Sequence, residues 1–355
     1  MPLRMPRFPS DTATELGTRW AFSSPRRPSS KKMPFQLSWL HISAVVLLVL
    51  SSALLNRGES TRQEPLACVS HDQPNPLAER FPNNATGVLN ATLAIIPIPL
   101  ATARRLIPAQ YGILEKAYRA LLPDFPEDMY PVMVQAAHDH DVQFRAYGIT
   151  IDDFSRVGFE FPFLDLLGDG YSSFRWAPHQ LITADHMIAL QGSRDYGTVV
   201  SPAEWEPTCD AYRALPNGNS FFKGKSLSSD EFVEVEMAAL RDIELNPYPL
   251  DLFKNITNQP TFANASTCDN MIRWFNTSMS VGDFAPRVVR GRVRANAFPY
   301  EGVEKEWTGV YGVQVATPFI ENNYLDCRTM RGYAGTGGLG DSFVEDIGSS
   351  WGSEL

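Results

Sequence analysis

Through most of the chain, apolar residues fall in short runs bounded by Gly, Pro, Asn, Asp and Ser. Runs of that length between turn residues are the pattern of strands. Alternation is strictest in Phe232-Val233-Glu234-Val235-Glu236-Met237, which puts Glu234 and Glu236 on one face and apolar side chains on the other. Leu89–Pro99, Tyr130–Ala137, Val157–Leu167, Tyr171–Pro178 and His186–Gly192 read as strands. So do Asn219–Leu227, Phe232–Leu240, Met271–Ser280, Arg287–Phe298 and Trp307–Thr317. Leu100–Pro123 instead carries helix formers at helical spacing, which predicts two short helices broken at Pro108. The fold class expected is α+β, mostly antiparallel β: a β-sandwich or partly closed barrel with a few short helices. One run, His186–Gly192, leads into Ser193-Arg194-Asp195-Tyr196-Gly197. A charged, glycine-flanked loop of that kind often carries chemistry on a β scaffold.

The pattern changes at both ends. Residues 1–34 are rich in Pro, Ser and Arg and are expected to be disordered. Residues 35–55 follow basic residues, have an unbroken apolar centre, Ala44–Leu50, and close on small residues. That is the layout of a signal peptide, or of a type II signal anchor if it is not cleaved. Initiation at Met33 rather than Met1 would leave a signal of ordinary length. Residues 56–88 read as a polar stem, 89–325 as the folded domain and 326–355 as a flexible Gly/Ser-rich tail. Two features agree with secretion. Glycosylation sequons stand at Asn84, Asn90, Asn255, Asn264 and Asn276, and the four cysteines Cys68, Cys209, Cys268 and Cys327 suit disulfides in three alternative connectivities.

The 355 residues, 44% hydrophobic, can bury a sizeable core, and a net charge of −9 argues against nucleic acid and anionic membranes as partners. A membrane enters only through an uncleaved anchor. His138-Asp139-His140-Asp141 has too few ligands for a metal and reads as a polar turn at a strand end. Arg290, Arg292 and Arg294 share a strand face, either to bind a carboxylate or to pair with Glu234 and Glu236. Gly335 lies in a glycine-rich tail without the Gly-Lys-Ser/Thr of a phosphate loop, and no Gly-x-Ser-x-Gly occurs. After the stem the lysines are Lys116, Lys223, Lys225, Lys254 and Lys305, of which Lys223 and Lys225 form the one close pair on a strand.

Several segments, in order, resemble the acetoacetate decarboxylase superfamily, in particular its long, secreted-type fungal branch. They are "LAIIPIPLATARRLIPAQYGIL", "GFEFPFLDLLGDGYSSFRW", "DHMIALQGSRDYGTVVSP", "PLDLFKNITNQPTF" and "EKEWTGVYGVQV". The resemblance covers roughly Leu89 to Asn322. It implies an acetoacetate-decarboxylase-like fold enclosing a small-molecule keto acid or polyketide-like ligand, with no cofactor. The family's reaction is decarboxylation through an imine formed by a lysine whose pKa a second lysine depresses. Arg194-Asp195 stands for the family's Arg-Glu and Tyr196 for its aromatic, but Thr198 and Val199 occupy the segment where the lysines belong. Lys254 falls on a structural Leu-Lys-x-x-Pro element, and the arginine expected before the first strand is missing from "TGVLNATL".

Two readings follow. The first is a decarboxylase or related carbon–carbon lyase of secondary metabolism. Its amine would be relocated to Lys223 or Lys225, or its chemistry would be acid–base, through Glu160, Asp153, Arg194 and Asp195. Tyr196, Asp153 and Trp307 are then candidates for lining the ligand site. The second is a secreted small-molecule-binding protein that keeps the pocket without the reaction.

Overall fold

A computed structural model describes residues 73–241, 245–264, 266–275 and 280–332. The N-terminal segment, the apolar segment, Cys68, Asn276 and residues 333–355 of the tail lie outside them. Contacts divide the chain into Met1–Pro65 and Leu66–Leu355, and all described residues belong to the second unit.

Four strands form the spine: β1 (Ala85–Pro99), β3 (Met129–Phe144), β5 (Phe154–Asp165) and β15 (Lys305–Asp326). They lie antiparallel in the order β15-β1-β3-β5, with Ala91 facing Val315 on one side and Ala137 on the other. Strand β1 is covered on both faces, which is why its sequence is almost continuously apolar.

Two sets of strands close this spine into circuits within one 15-stranded sheet. The smaller passes through β6 (Phe174–Trp176), β12 (Thr261–Phe262) and β13 (Thr267–Arg273), which returns to β15. The larger passes through β7 (His179–Thr183), β8 (Val199–Glu206), β10 (Ser220–Ser226), β11 (Phe232–Ala239) and β14 (Arg287–Asn296). Short strands β2 (Gly112–Ile113), β4 (Ile149–Ile151) and β9 (Arg213–Ala214) pair with β5, β3 and β10. Every pairing is antiparallel except β6–β12 and β7–β8. The mostly antiparallel α+β class is as the pattern predicts. On β11 and β14 the alternation also resolves the arginines: Arg294 pairs with Glu234 and Arg292 with Glu236 directly across the ladder.

Two short helices, α1 (Leu100–Leu106) and α2 (Glu115–Leu121), flank Pro108 as expected. Helix α3 (Met187–Asp195) corrects a strand expected over His186–Gly192. His186 starts it: the ring Nδ1 accepts from the Ala189 N–H while Nε2 contacts the Asp152 carbonyl. Capping one end while tethering the other ring nitrogen fixes a helix where the short apolar run alone is ambiguous. Helix α4 (Leu250–Asn258) lies between β11 and β12 in the chain.

Three other expectations change. The His138-Asp139-His140 stretch is not a strand-end turn but buried strand within β3. Residues 73–88 are not all stem, since Leu77 is fully buried against Ile272, Trp274 and Ile320. Two sequons are closed: Asn90 and Asn255 are buried, Asn90 beside His140 and Asn255 accepting from Gln259, so a glycan on either is incompatible with this fold. Asn264 is exposed and Asn84 partly so.

Cys268 and Cys327 are joined, clamping the start of β13 to the residue after β15, and Cys209 is disulfide-bonded as well. The Cys268–Cys327 link closes a loop of 59 residues. Replacing both cysteines by serine is expected to lower unfolding free energy by about 2–4 kcal/mol, read from urea midpoints under non-reducing conditions.

Candidate active site

The smaller circuit encloses a cavity of about 190 Å³. Each of its seven strands contributes to the lining: Ala85 from β1, Asp139 from β3, Glu160 from β5, Arg175 from β6, Thr261 from β12, Asp269 from β13 and Glu321 from β15. Period two selects these side chains. On β13, Asp269 and Met271 face in, as do Phe319 and Glu321 on β15. On β5, Arg156 and Glu160 face in while Phe159 packs on the other side against Tyr300 and Trp307. On β3 the parity changes at Asp141, whose φ is 50°, so Asp139 and then Val142 and Phe144 reach the same cavity. Helix α3 covers the top with Ile188, Ala189, Gly192 and Ser193.

Buried charges line the floor. Arg156 grips Asp139 in a two-point ion pair, Nε–Oδ2 2.7 Å and Nη2–Oδ1 3.2 Å. Burial works against the Arg156 charge, but the Asp139 carboxylate outweighs it and holds the guanidinium pKa above its usual range. Arg175 donates to Thr261 Oγ1 at 2.6 Å and lies 3.2 Å from Glu160 Oε2. Gln135 joins this pair to Arg273, donating to Glu160 Oε1 at 3.1 Å and accepting from Arg273 Nη1 at 2.6 Å. Burial, then the nearby Arg175 and Arg156 charges, push Arg273 down to about 9, so it stays charged at neutral pH.

Asp269 and Glu321 face each other from neighbouring strands β13 and β15. Burial, then the Asp269 charge and a hydrogen bond with it, raise the Glu321 pKa well above the carboxylate range. Glu321 is therefore a neutral acid. Arg175 Nη1 and Glu160 Oε2, both buried in this lining, make no aligned hydrogen bond. Buried polar atoms left so are costly and mark a place for a ligand or water. The Arg175–Glu160 contact is close but misaligned, which leaves both atoms capacity for a third group.

Of the residues singled out from sequence, the cavity gathers Glu160 and Tyr196. The Tyr196 hydroxyl donates to Asn323 Oδ1 at 2.5 Å, and burial, then Asp269 and Glu321, keep it protonated. Gly197 turns the chain after it at φ 85°, and a side chain there would strike Asn264. The rest lie elsewhere. Arg194 and Asp195 are on the exposed face of α3, with Asp195 accepting from Gln191 and from Tyr324. Asp153 accepts from the Asp141 N–H, and Trp307 packs in the aromatic cluster. Lys223 pairs with Glu234 at 3.4 Å and Lys225 is exposed, so neither lysine reaches the cavity, and no lysine lines it. Sequence reasoning missed Asp139, Arg156, Arg175, Asp269 and Glu321. For Arg156, Arg175 and Glu321 the signal is a single charge inside a largely apolar strand, as in "SFRWAP" and "PFIEN"; Asp139, among His138, His140 and Asp141, and Asp269, beside Asn270, carry no such signal. Among the described residues no group of three or more His, Cys, Asp or Glu side chains is placed to hold a metal ion.

No protein-family model matches the sequence, and no curated protein is significantly similar to it. Solved structures similar to it include the enduracididine biosynthesis enzyme MppR, complexed with the condensation product of pyruvate and imidazole 4-carboxaldehyde. That match has 8% identity and a TM-score of 0.39, over 68% of this chain and 90% of that one. MppR with HEPES buffer bound gives 9% identity and a TM-score of 0.34, over 68% and 86%. An acetoacetate decarboxylase-like enzyme from Sphingomonas wittichii RW1 gives 9% identity and a TM-score of 0.32, over 68% and 92%.

Because Glu321 is held neutral in the fold, its contribution to stability is present below the unfolded carboxyl pKa and is lost as pH rises toward the raised folded value. Glu321→Gln should remove that decline. The difference in stability between variant and parent, followed by urea titration from pH 4 to 8, should grow in favour of the variant as pH rises.

Proposed function

We propose that this chain is an acetoacetate-decarboxylase-like lyase acting on a small oxo-acid by acid–base chemistry, without an imine. The observation that carries the reading is the convergence on one cavity of a guanidinium, Arg175, and three carboxyl groups, Glu160, Asp269 and Glu321, with the close Arg175 Nη1–Glu160 Oε2 contact left misaligned. The order of the sequence segments resembling that superfamily supports it. Arg175 Nη1 anchors the substrate's carboxylate or oxo group. When the bond between the carboxyl carbon and the carbon beside the ketone breaks, CO2 leaves and the electron pair of that bond moves to the ketone oxygen as an enolate. Neutral Glu321 gives that oxygen a proton, and Glu160 moves a proton at carbon. Asp139–Arg156 and Gln135–Arg273 hold these groups in place. The paired cysteines and the outward Asn264 and Asn84 sequons support a secretory-pathway location.

The competing reading, a binding protein on the same fold, is favoured by the lack of any lysine in the lining. One experiment separates the readings. The protein is incubated with acetoacetate and pyruvate in D2O, with NMR following carbon–hydrogen exchange and product. Exchange or turnover is expected, reduced about 10²-fold or more in Glu160→Gln and in Glu321→Gln. Borohydride is expected to trap no adduct. A trapped lysine adduct establishes an imine route, and binding without exchange or turnover establishes the binding protein.

A further inference from the structure

The cavity is polar at its buried end only. Asp139, Glu160 and Arg175 are almost fully buried. Toward solvent the lining becomes Val142, Phe144, Ile151 and Phe154 from the β3–β4–β5 wall, with Ile188 from α3 opposite. The β3–β4 ladder sets Val142 against Ile151 and Phe144 against Ile149. Residues directly opposite in an antiparallel pair share a face, so these four side chains make one apolar strip running outward from the cavity. The strip ends in the open: Ile149 is 49% exposed, and Tyr147, which packs edge-on against Phe144, is 66% exposed. Across the mouth Ile188 is 60% exposed. Large apolar side chains exposed next to one another mark a binding surface, whereas single ones do not. This strip is continuous with a cavity whose inner end carries the close but misaligned Arg175–Glu160 contact.

From this continuity we infer that the ligand is amphipathic: a carboxylic or oxo-acid head at Arg175, Glu160 and Glu321, and a linear acyl tail lying along Val142, Phe144, Ile149, Ile151 and Ile188. The inference rests on the acid-binding reading above and narrows its substrate class. A cavity of about 190 Å³ takes the head and the first few carbons, since a dry cavity of roughly 150 Å³ holds one benzene. The remaining carbons follow the exposed strip. A short acid such as acetoacetate fills the inner end and leaves the strip uncovered, so it should be a weak ligand.

The test is calorimetric titration of the full chain with straight-chain 2-oxo acids of four to ten carbons, and with n-alkanols of matched length. Affinity is expected to rise about threefold per methylene up to eight carbons, because a half-open strip recovers less than the roughly fourfold of full burial. Ile188→Asp, at an exposed helix position, should cut the ratio of eight-carbon to four-carbon affinity by about tenfold, a loss worth roughly two methylenes. Arg175→Gln should weaken every acid by one common factor and leave the length dependence intact. Equal affinity from four to ten carbons overturns the tail while leaving the acid site standing. Alkanols binding as tightly as the acids would overturn the acid head instead. If no acid of any length binds, both readings fall.

Discussion

The smaller circuit of the sheet depends on keeping three guanidinium groups inside it. An unpaired buried charge is far more costly than any single apolar contact is favourable. Each arginine is therefore matched by a group from another strand: Arg156 of β5 by Asp139 of β3, Arg175 of β6 by Glu160 of β5 and Thr261 of β12, and Arg273 of β13 by Gln135 of β3. The Arg175–Thr261 pair crosses the place where the ladder is thinnest. Strand β12 has two residues and β6 three, so few backbone bonds hold that side of the circuit. The Arg175–Thr261 bond supplies at the side-chain level what the short ladder lacks. The charges that line the cavity thus also close the ring around it.

Helix α3 is tethered at both ends, which directs access to the side. At its start the His186 ring contacts Asp152, and at its end Tyr196 is bonded to Asn323 and the Tyr324 backbone. Asp195 adds a contact to the Tyr324 hydroxyl. Lifting the helix would break all of these. The gap between Ile188 and the β3–β4 hairpin requires no bond to break, and it is where the apolar strip emerges.

The architecture was readable because strand periodicity is local. Alternation in Phe232–Met237 predicts which residues face Arg292 and Arg294, and the ladder places them so. The site was readable only in part, for a physical reason. Period two says that Arg156 and Phe159 point to opposite faces, but both faces of β5 are covered, and nothing local tells a charged cavity from an apolar core. The charges of the Gly192–Gly197 segment, Arg194 and Asp195, are exposed, where charge is unremarkable. The informative charges were solitary ones among aromatics, such as Arg175 between Phe174 and Trp176, where charge must be paired. The α3 misassignment has a similar root. A run of five apolar or small residues suits either element, and the deciding bond, from His186 to the Ala189 amide, leaves no trace in hydrophobic periodicity.

The absence of an amine is more than a missing residue. Imine chemistry needs a lysine whose pKa is lowered by burial or by a neighbouring cation. Thr198, one of the residues standing in the segment where the resemblance expects lysine, donates its hydroxyl to the Ala177 carbonyl at the cavity wall. The lining also holds Asp139, Glu160, Asp269 and Glu321, and carboxylates beside an ammonium favour its charged form. A lysine introduced there would pair with an acid and stay protonated. The cavity is built around a neutral carboxylic acid and fixed guanidinium groups, and such a set serves proton transfer to an oxygen better than nucleophilic attack on a carbonyl carbon. The lack of a lysine and the presence of carboxyls in this lining are therefore one chemical character, distributed over strands far apart in sequence.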